Sequence, residues 1–100
     1  MKTLLSFGNC PNCDLTYADL EYADLRGVNL AGANLYSAVL RESDLDDAKL
    51  EGANLEEADL TFADLTGANL KNVNVAFAYL INAVLEGANL EGVNLEEAYR

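Results

Sequence analysis

The chain has 100 residues, enough for one domain, with 17 Asp and Glu against 6 Lys and Arg and a net charge of −11. It contains no His, which excludes a Ser-His-Asp triad and leaves its two Cys short of a zinc shell within one chain. So few bases disfavour direct binding to phosphates, and no run of 18 apolar residues offers a membrane-spanning helix.

Residues 1–12 depart from the pattern that fills the rest and read as an N-terminal cap or first partial coil. The opening MKTLLSFGNC has one Lys and too short an apolar run for a signal peptide, so a cytoplasmic protein without membrane contact is expected. Leu5 and Cys10 already fall on the five-residue grid described below. Pro11, lacking an N–H, fits an edge or corner. Cys10 and Cys13 then form CPNC, with Cys13 where later repeats have Ala. They read first as a packed or capping thiol pair, as buried Cys usually are. A disulfide or a metal shared between chains are the alternatives.

Residues 13–100 repeat one five-residue unit. Every fifth residue from Leu15 to Leu95 is Leu, except Val75, and the residue two before it is small, mostly Ala, with Val28, Ser43, Val73 and Val93 as variants. Buried positions spaced two, three, two, three would be spread around an α-helix at about 100° per residue. In a straight strand the three-residue step would turn every second pair outward. A short extended segment followed by a corner keeps all of them inside, which predicts an all-β solenoid. Gly stands two residues after Leu at 27, 32, 52, 67, 87 and 92, and aromatics stand there at Tyr17, Tyr22, Phe62 and Phe77. Wrapping the chain every twenty residues sorts the glycines into two adjacent columns and the aromatics into the other two. Four segments per coil, and about four coils, follow from that.

The tandem A(D/N)LXX units, such as Ala18-Asp19-Leu20, Ala33-Asn34-Leu35, Ala53-Asn54-Leu55 and Ala63-Asp64-Leu65, resemble the pentapeptide-repeat family over about residues 13 to 99. The resemblance implies a right-handed quadrilateral β-helix of four pentapeptides per turn, with the Leu and the preceding small residue stacked inside. Family members are frequent in cyanobacteria, and most have no assigned biochemistry. A subset resembles DNA in shape and charge and protects gyrase from quinolones.

Wrapping by twenty also assigns charge to walls. The wall of Leu25, Leu45, Leu65 and Leu85 gathers Asp24, Asp44, Asp46, Asp47, Asp64 and Glu86 against Arg26. That of Leu30, Leu50, Leu70 and Leu90 balances Glu51 and Glu91 with Lys49 and Lys71. The acidity reads as solubility through self-repulsion, as an interaction surface for a basic partner, or as a calcium site on the Asp ladder. The last is the weakest, because side chains one coil apart need not converge, and no metal or cofactor is assigned. Asn before the buried Leu reads as structural, bonding local backbone in turns and stacking between coils. Carboxylates on a convex rod lack a pocket that would desolvate one of them, so no enzyme activity is expected.

Near the C-terminus Phe77, Tyr79, Ile81, Val84 and Tyr99 place apolar groups outside the core. A homodimer through that last coil is the expectation, with tyrosines folded over the end as the alternative. The residues together point to a rigid interaction or scaffold module of unknown partner. The rival is an acidic mimic of DNA that inhibits or protects a DNA-handling enzyme such as gyrase.

Overall fold

In a computed structural model, residues 9–100 are described; Leu5 and the rest of the expected cap up to residue 8 lie outside them. Residues 9–12 already belong to the coil, since Asn9 bridges Asn29 and the Asn12 N–H donates to the Ala31 carbonyl at 2.9 Å. Every β-bridge is parallel and joins residue n to residue n+20. Four pentapeptides therefore make one coil. The bridges are isolated, because a corner every five residues leaves each segment too short for a ladder strand.

The central unit Ala53 to Glu57 shows why this sequence closes into corners. The Ala53 N–H donates to the Leu50 carbonyl at 2.9 Å, closing the turn, while Asn54 donates to Ala33 at 2.9 Å and Leu55 donates to Asn74 at 2.8 Å in the two flanking coils. Glu57 donates to Ala76 at 2.9 Å. The fifth donor, the Glu56 N–H, meets the Asn54 side chain at 3.1 Å. Buried or not, each backbone donor of the unit has a partner. The Asn or Asp before Leu is thus an Asx turn that supplies the one acceptor the coil cannot. Asn54 also donates its side-chain amide to Asn34 one coil away at 3.3 Å, so the structural reading of Asn is what the molecule shows.

The third residue of the turn has positive φ at every corner from Asn12 to Gly92, whether it is Gly or not. This is the type II turn, whose third position favours Gly. At Gly67 φ is +69°, and a Cβ there would press on the Asp47 carboxylate from the coil before, which would have to swing aside.

Inside the coil, Leu20 through Leu65 on the grid are fully buried, with Ala and Val filling the smaller columns. Ser43 is the one buried polar side chain among the described residues, and its hydroxyl donates to the Leu40 carbonyl at 2.7 Å. A serine in the small column therefore costs little. In the last coil Leu85, Leu90 and Leu95 are only part-buried.

Candidate interaction surfaces

Cys10 and Cys13, expected as packed thiols, are joined as a disulfide. They occupy the Leu and Ala columns, so both side chains enter the coil, and the turn between them is closed by the Cys13 N–H donating to the Cys10 carbonyl at 3.2 Å.

The acidic wall is built by the bridges. Asp24 pairs with Asp44, and Asp44 with Asp64, so their side chains leave the same wall in register. The five candidates do not act together. Asp24 is taken by Arg26, whose guanidinium donates two bonds to it at 2.9 and 2.8 Å. Those hydrogen bonds hold the Asp24 carboxyl down at about 2 and raise the Arg26 guanidinium. Asp47 turns toward the space over Gly67. Asp44, which also lies 3.7 Å from the Arg26 guanidinium, Asp46 and Asp64 have one oxygen each within 4.8 Å of one another. Three oxygens are less than the roughly six to eight that calcium takes.

Within that trio, Asp46 Oδ1 is buried without a hydrogen-bond partner among the described residues. Burial pushes the Asp46 carboxyl up, aided by the adjacent Asp64 and Asp44 carboxylates, while Asp64 is held down by the Thr66 hydroxyl and N–H. A carboxyl raised in the folded state favours folding while protonated and loses that contribution as pH rises through its folded value. Asp46→Asn is therefore expected to raise Tm at pH 7, with the gain vanishing near pH 3, where both states carry the proton. Thermal melts at the two pH values check this, and an equal gain at both would contradict the explanation by a buried charge.

The exposed large apolar side chains show a second arrangement. Tyr79 and Tyr99 stand on the wall of Leu20, Leu40, Leu60 and Leu80, with Tyr17, Phe77, Tyr22, Phe62 and Ile81 on its two corners and Val84 just beyond. All the exposed large apolar groups among the described residues lie on this one side except Val84, which continues the Asp24, Asp44 and Asp64 column of the neighbouring wall. The residues expected at a dimer end are thus on a side wall, and Tyr17, Tyr22 and Phe62 continue them along the rod. The opposite wall has the glycine corners. Wrapping by twenty already sorted Tyr17, Tyr22, Phe62 and Phe77 into two columns; the bridges add that Tyr79 and Tyr99 stand on the wall between them.

The same side contains a surface hollow of about 400 Å³ lined by Glu57, Phe77, Tyr79 and Tyr99. Tyr79 and Tyr99 are stacked with ring centroids 4.7 Å apart, as one-coil neighbours in a bridged column must be. Glu57 accepts from the Tyr36 hydroxyl at 3.2 Å and the Ser37 hydroxyl at 3.4 Å, and holding that proton raises the Tyr36 phenol. Three rings beside an oriented carboxylate form a site suited to an organic cation.

The sequence pattern of the pentapeptide repeats (eight copies) matches residues 3–35, 33–72 and 68–99. Among solved structures the chain resembles a pentapeptide repeat protein of the cyanobacterium Cyanothece at 37% identity and TM-score 0.88, covering 91% of this chain and 63% of that one. It resembles one from the thylakoid lumen of Arabidopsis thaliana at 31% identity and TM-score 0.89, covering 98% and 68%. HetL of Nostoc, described as involved in regulating heterocyst differentiation, matches at 37% identity and TM-score 0.77, covering 91% of this chain and 46% of its own length. The chain thus spans roughly half to two thirds of these relatives. Among curated proteins no match was found. From the five-residue columns, the twenty-residue coil and these matches together, the chain belongs to the pentapeptide repeat family.

Proposed function

We propose that this protein is a non-catalytic interaction module, a right-handed quadrilateral β-helix that offers one aromatic side, edged with carboxylates, to a basic segment of a protein partner. One observation carries the reading. Tyr17, Tyr22, Phe62 and Phe77 sit at corners with φ between 59° and 63° and are 42 to 68% exposed. A bulky residue in the left-handed region is unfavourable, and so is a large ring in water. Apart from the edge-on contact of Tyr17 with the Tyr36 ring at 5.7 Å, neither the coil nor solubility asks for aromatics there, which favours a ligand. Charge selects the ligand: the acidic wall of Asp44 and Asp64 adjoins the Tyr22 and Phe62 corner, and a net charge of −11 repels a second copy. Arginine-bearing segments meet both demands, with a guanidinium seated against Glu57, Phe77, Tyr79 and Tyr99. A cytoplasmic location belongs to the same proposal.

The probe is a twelve-residue peptide with arginine at every third position, set beside its neutral citrulline counterpart in a fluorescence titration. The arginine peptide is expected to bind about tenfold or more tightly, a difference of about 1.4 kcal/mol, with Glu57→Gln and Tyr79→Ala each removing most of the preference. Equal binding of both peptides overturns the reading. Light scattering on the free protein tests the other occupant, a homodimer through Phe77, Tyr79, Ile81, Val84 and Tyr99: a dimer at micromolar concentration, broken by Tyr79→Glu with Ile81→Glu, would give this side to a second copy.

The rival mimicry of DNA places the same acidity before a DNA-handling enzyme. A duplex is anionic on all sides, whereas here Lys49 and Lys71 neutralise Glu51 and Glu91 on the glycine-edged wall. That asymmetry supports the interaction module. Inhibition of gyrase supercoiling by the purified protein would reverse the preference.

A further inference from the structure

We infer that Cys10 and Cys13 form a thiol–disulfide exchange site whose reaction partner is a small or protein dithiol, and that the coil keeps its shape in both redox states. The corner itself supplies the geometry. Cys10 and Cys13 are the first and last residues of a turn, their Cα atoms are 5.4 Å apart, and this lies inside the range of roughly 4.4 to 6.8 Å that a disulfide accepts. Every other corner from Leu15 to Ala98 closes through the same small-residue N–H to Leu carbonyl bond, or to the Val75 carbonyl at Ala78, without any sulfur. The bond between sulfurs is therefore not what folds this corner.

A crosslink over so short a loop also constrains the unfolded chain less than a longer one would. Its value to stability lies at the low end for a disulfide, and its chemistry is a further reason for two Cys in these positions. Access is seen in the exposure. Leu30 and Ala33, one coil on in the same columns, are fully buried, whereas both Cys keep part of their surface exposed. A part-exposed CxxC disulfide is open to attack by a thiolate.

The exchange balances as follows. One thiolate of the dithiol attacks a sulfur of the pair, the S–S bond breaks, and the displaced Cys leaves as a thiolate that takes a proton. The second thiol of the reductant then attacks the mixed disulfide, releasing the other Cys as a thiol. Two electrons pass to the protein pair, and the dithiol ends as its own disulfide. With oxidised glutathione the reaction runs backward, and two molecules of reduced glutathione leave.

The site is tested on the full chain without denaturant by dithiothreitol treatment, alkylation with iodoacetamide and mass measurement. The oxidised protein is expected to gain no alkyl group and the reduced protein two, with reduction in native buffer within about tenfold of the rate in urea. Oxidised glutathione, added to the reduced protein before iodoacetamide, should restore the form that gains no alkyl group. The far-UV circular dichroism should be unchanged on reduction at 25 °C, and Tm should fall by about 10 °C. Cys13→Ser keeps the fold, on the precedent of Ser43 in the same kind of position, and should trap Cys10 as a mixed disulfide one glutathione heavier. Reduction that requires urea, two alkyl groups after oxidised glutathione, or loss of the far-UV signal on reduction would each overturn the inference.

Discussion

Leu55→Ala is expected to lower the unfolding free energy by about 2 to 5 kcal/mol, the usual result of emptying a fully enclosed aliphatic position. Leu55 is 1% exposed, and the units before and after it in its column are Leu35 and Val75, also buried. Its N–H crosses to the following coil while the Asn54 N–H crosses to the preceding one, so the backbone on either side is held and has little freedom to collapse into the void. A domain of this size is stable by about 5 to 15 kcal/mol in all, which makes the loss a large fraction of the total. Leu90→Ala supplies the comparison. Leu90 is part-buried at the end of the core, so fewer contacts vanish and the surroundings relax more freely. Urea denaturation of the two variants is expected to separate them by more than about 1 kcal/mol. Equal losses would show that the aliphatic columns are not the interior.

Replacing Tyr22 and Phe62 together by Gly is expected to raise stability while weakening capture of the arginine peptide about tenfold or more. The two residues sit two coils apart on one corner at φ 63° and 62°, too distant to couple through contact, so their effects should add. Left-handed backbone costs an L-residue roughly 1 to 2 kcal/mol, and Gly escapes that cost. The greater freedom of Gly in the unfolded chain returns about 0.5 to 1 kcal/mol of it, leaving a net gain on the order of 0.5 kcal/mol for each site. The opposite corners, where Gly27, Gly52 and Gly87 have positive φ without a side chain, show what the coil adopts where nothing else is asked of it. Urea denaturation and the peptide titration, run on one sample, give both signs. A less stable double variant would mean that the rings hold the corner, and the functional reading of that side would fall with it.

The columns of Leu and Ala were legible because a buried position in a repeating coil admits few side chains, so the spacing of Leu15, Leu20 and Leu25 announces the corner. The twenty-residue coil was legible for a related reason: Gly67 and Gly87 stand in one column at a corner of positive φ, which Gly adopts at the least cost. Outward groups carry no such requirement. Nothing in the order of letters shows that Asp44, Asp46 and Asp64 converge while Asp24 is held by Arg26, or that Glu57 stands beside three rings contributed by two later coils. The positive φ at Asp47, Glu57 and Phe62 was hidden for the converse reason. Six glycines suggested two glycine corners, but the turn bonds impose the same backbone at all four corners, whatever residue occupies them.

Because each residue faces its counterpart twenty positions on, the length of an insertion decides its consequence. A duplication of twenty residues would lengthen the rod with every stripe still aligned. Adding a single pentamer leaves the interior untouched, since one Leu follows another, but rotates everything after it by a quarter turn. Placed after Leu50, it would carry the rings of Phe77, Tyr79 and Tyr99 round to the side where Asp24 and Asp44 now stand. Recognition on such a scaffold can thus be re-phased like the tumblers of a lock, in fixed steps and without disturbing what keeps the chain folded.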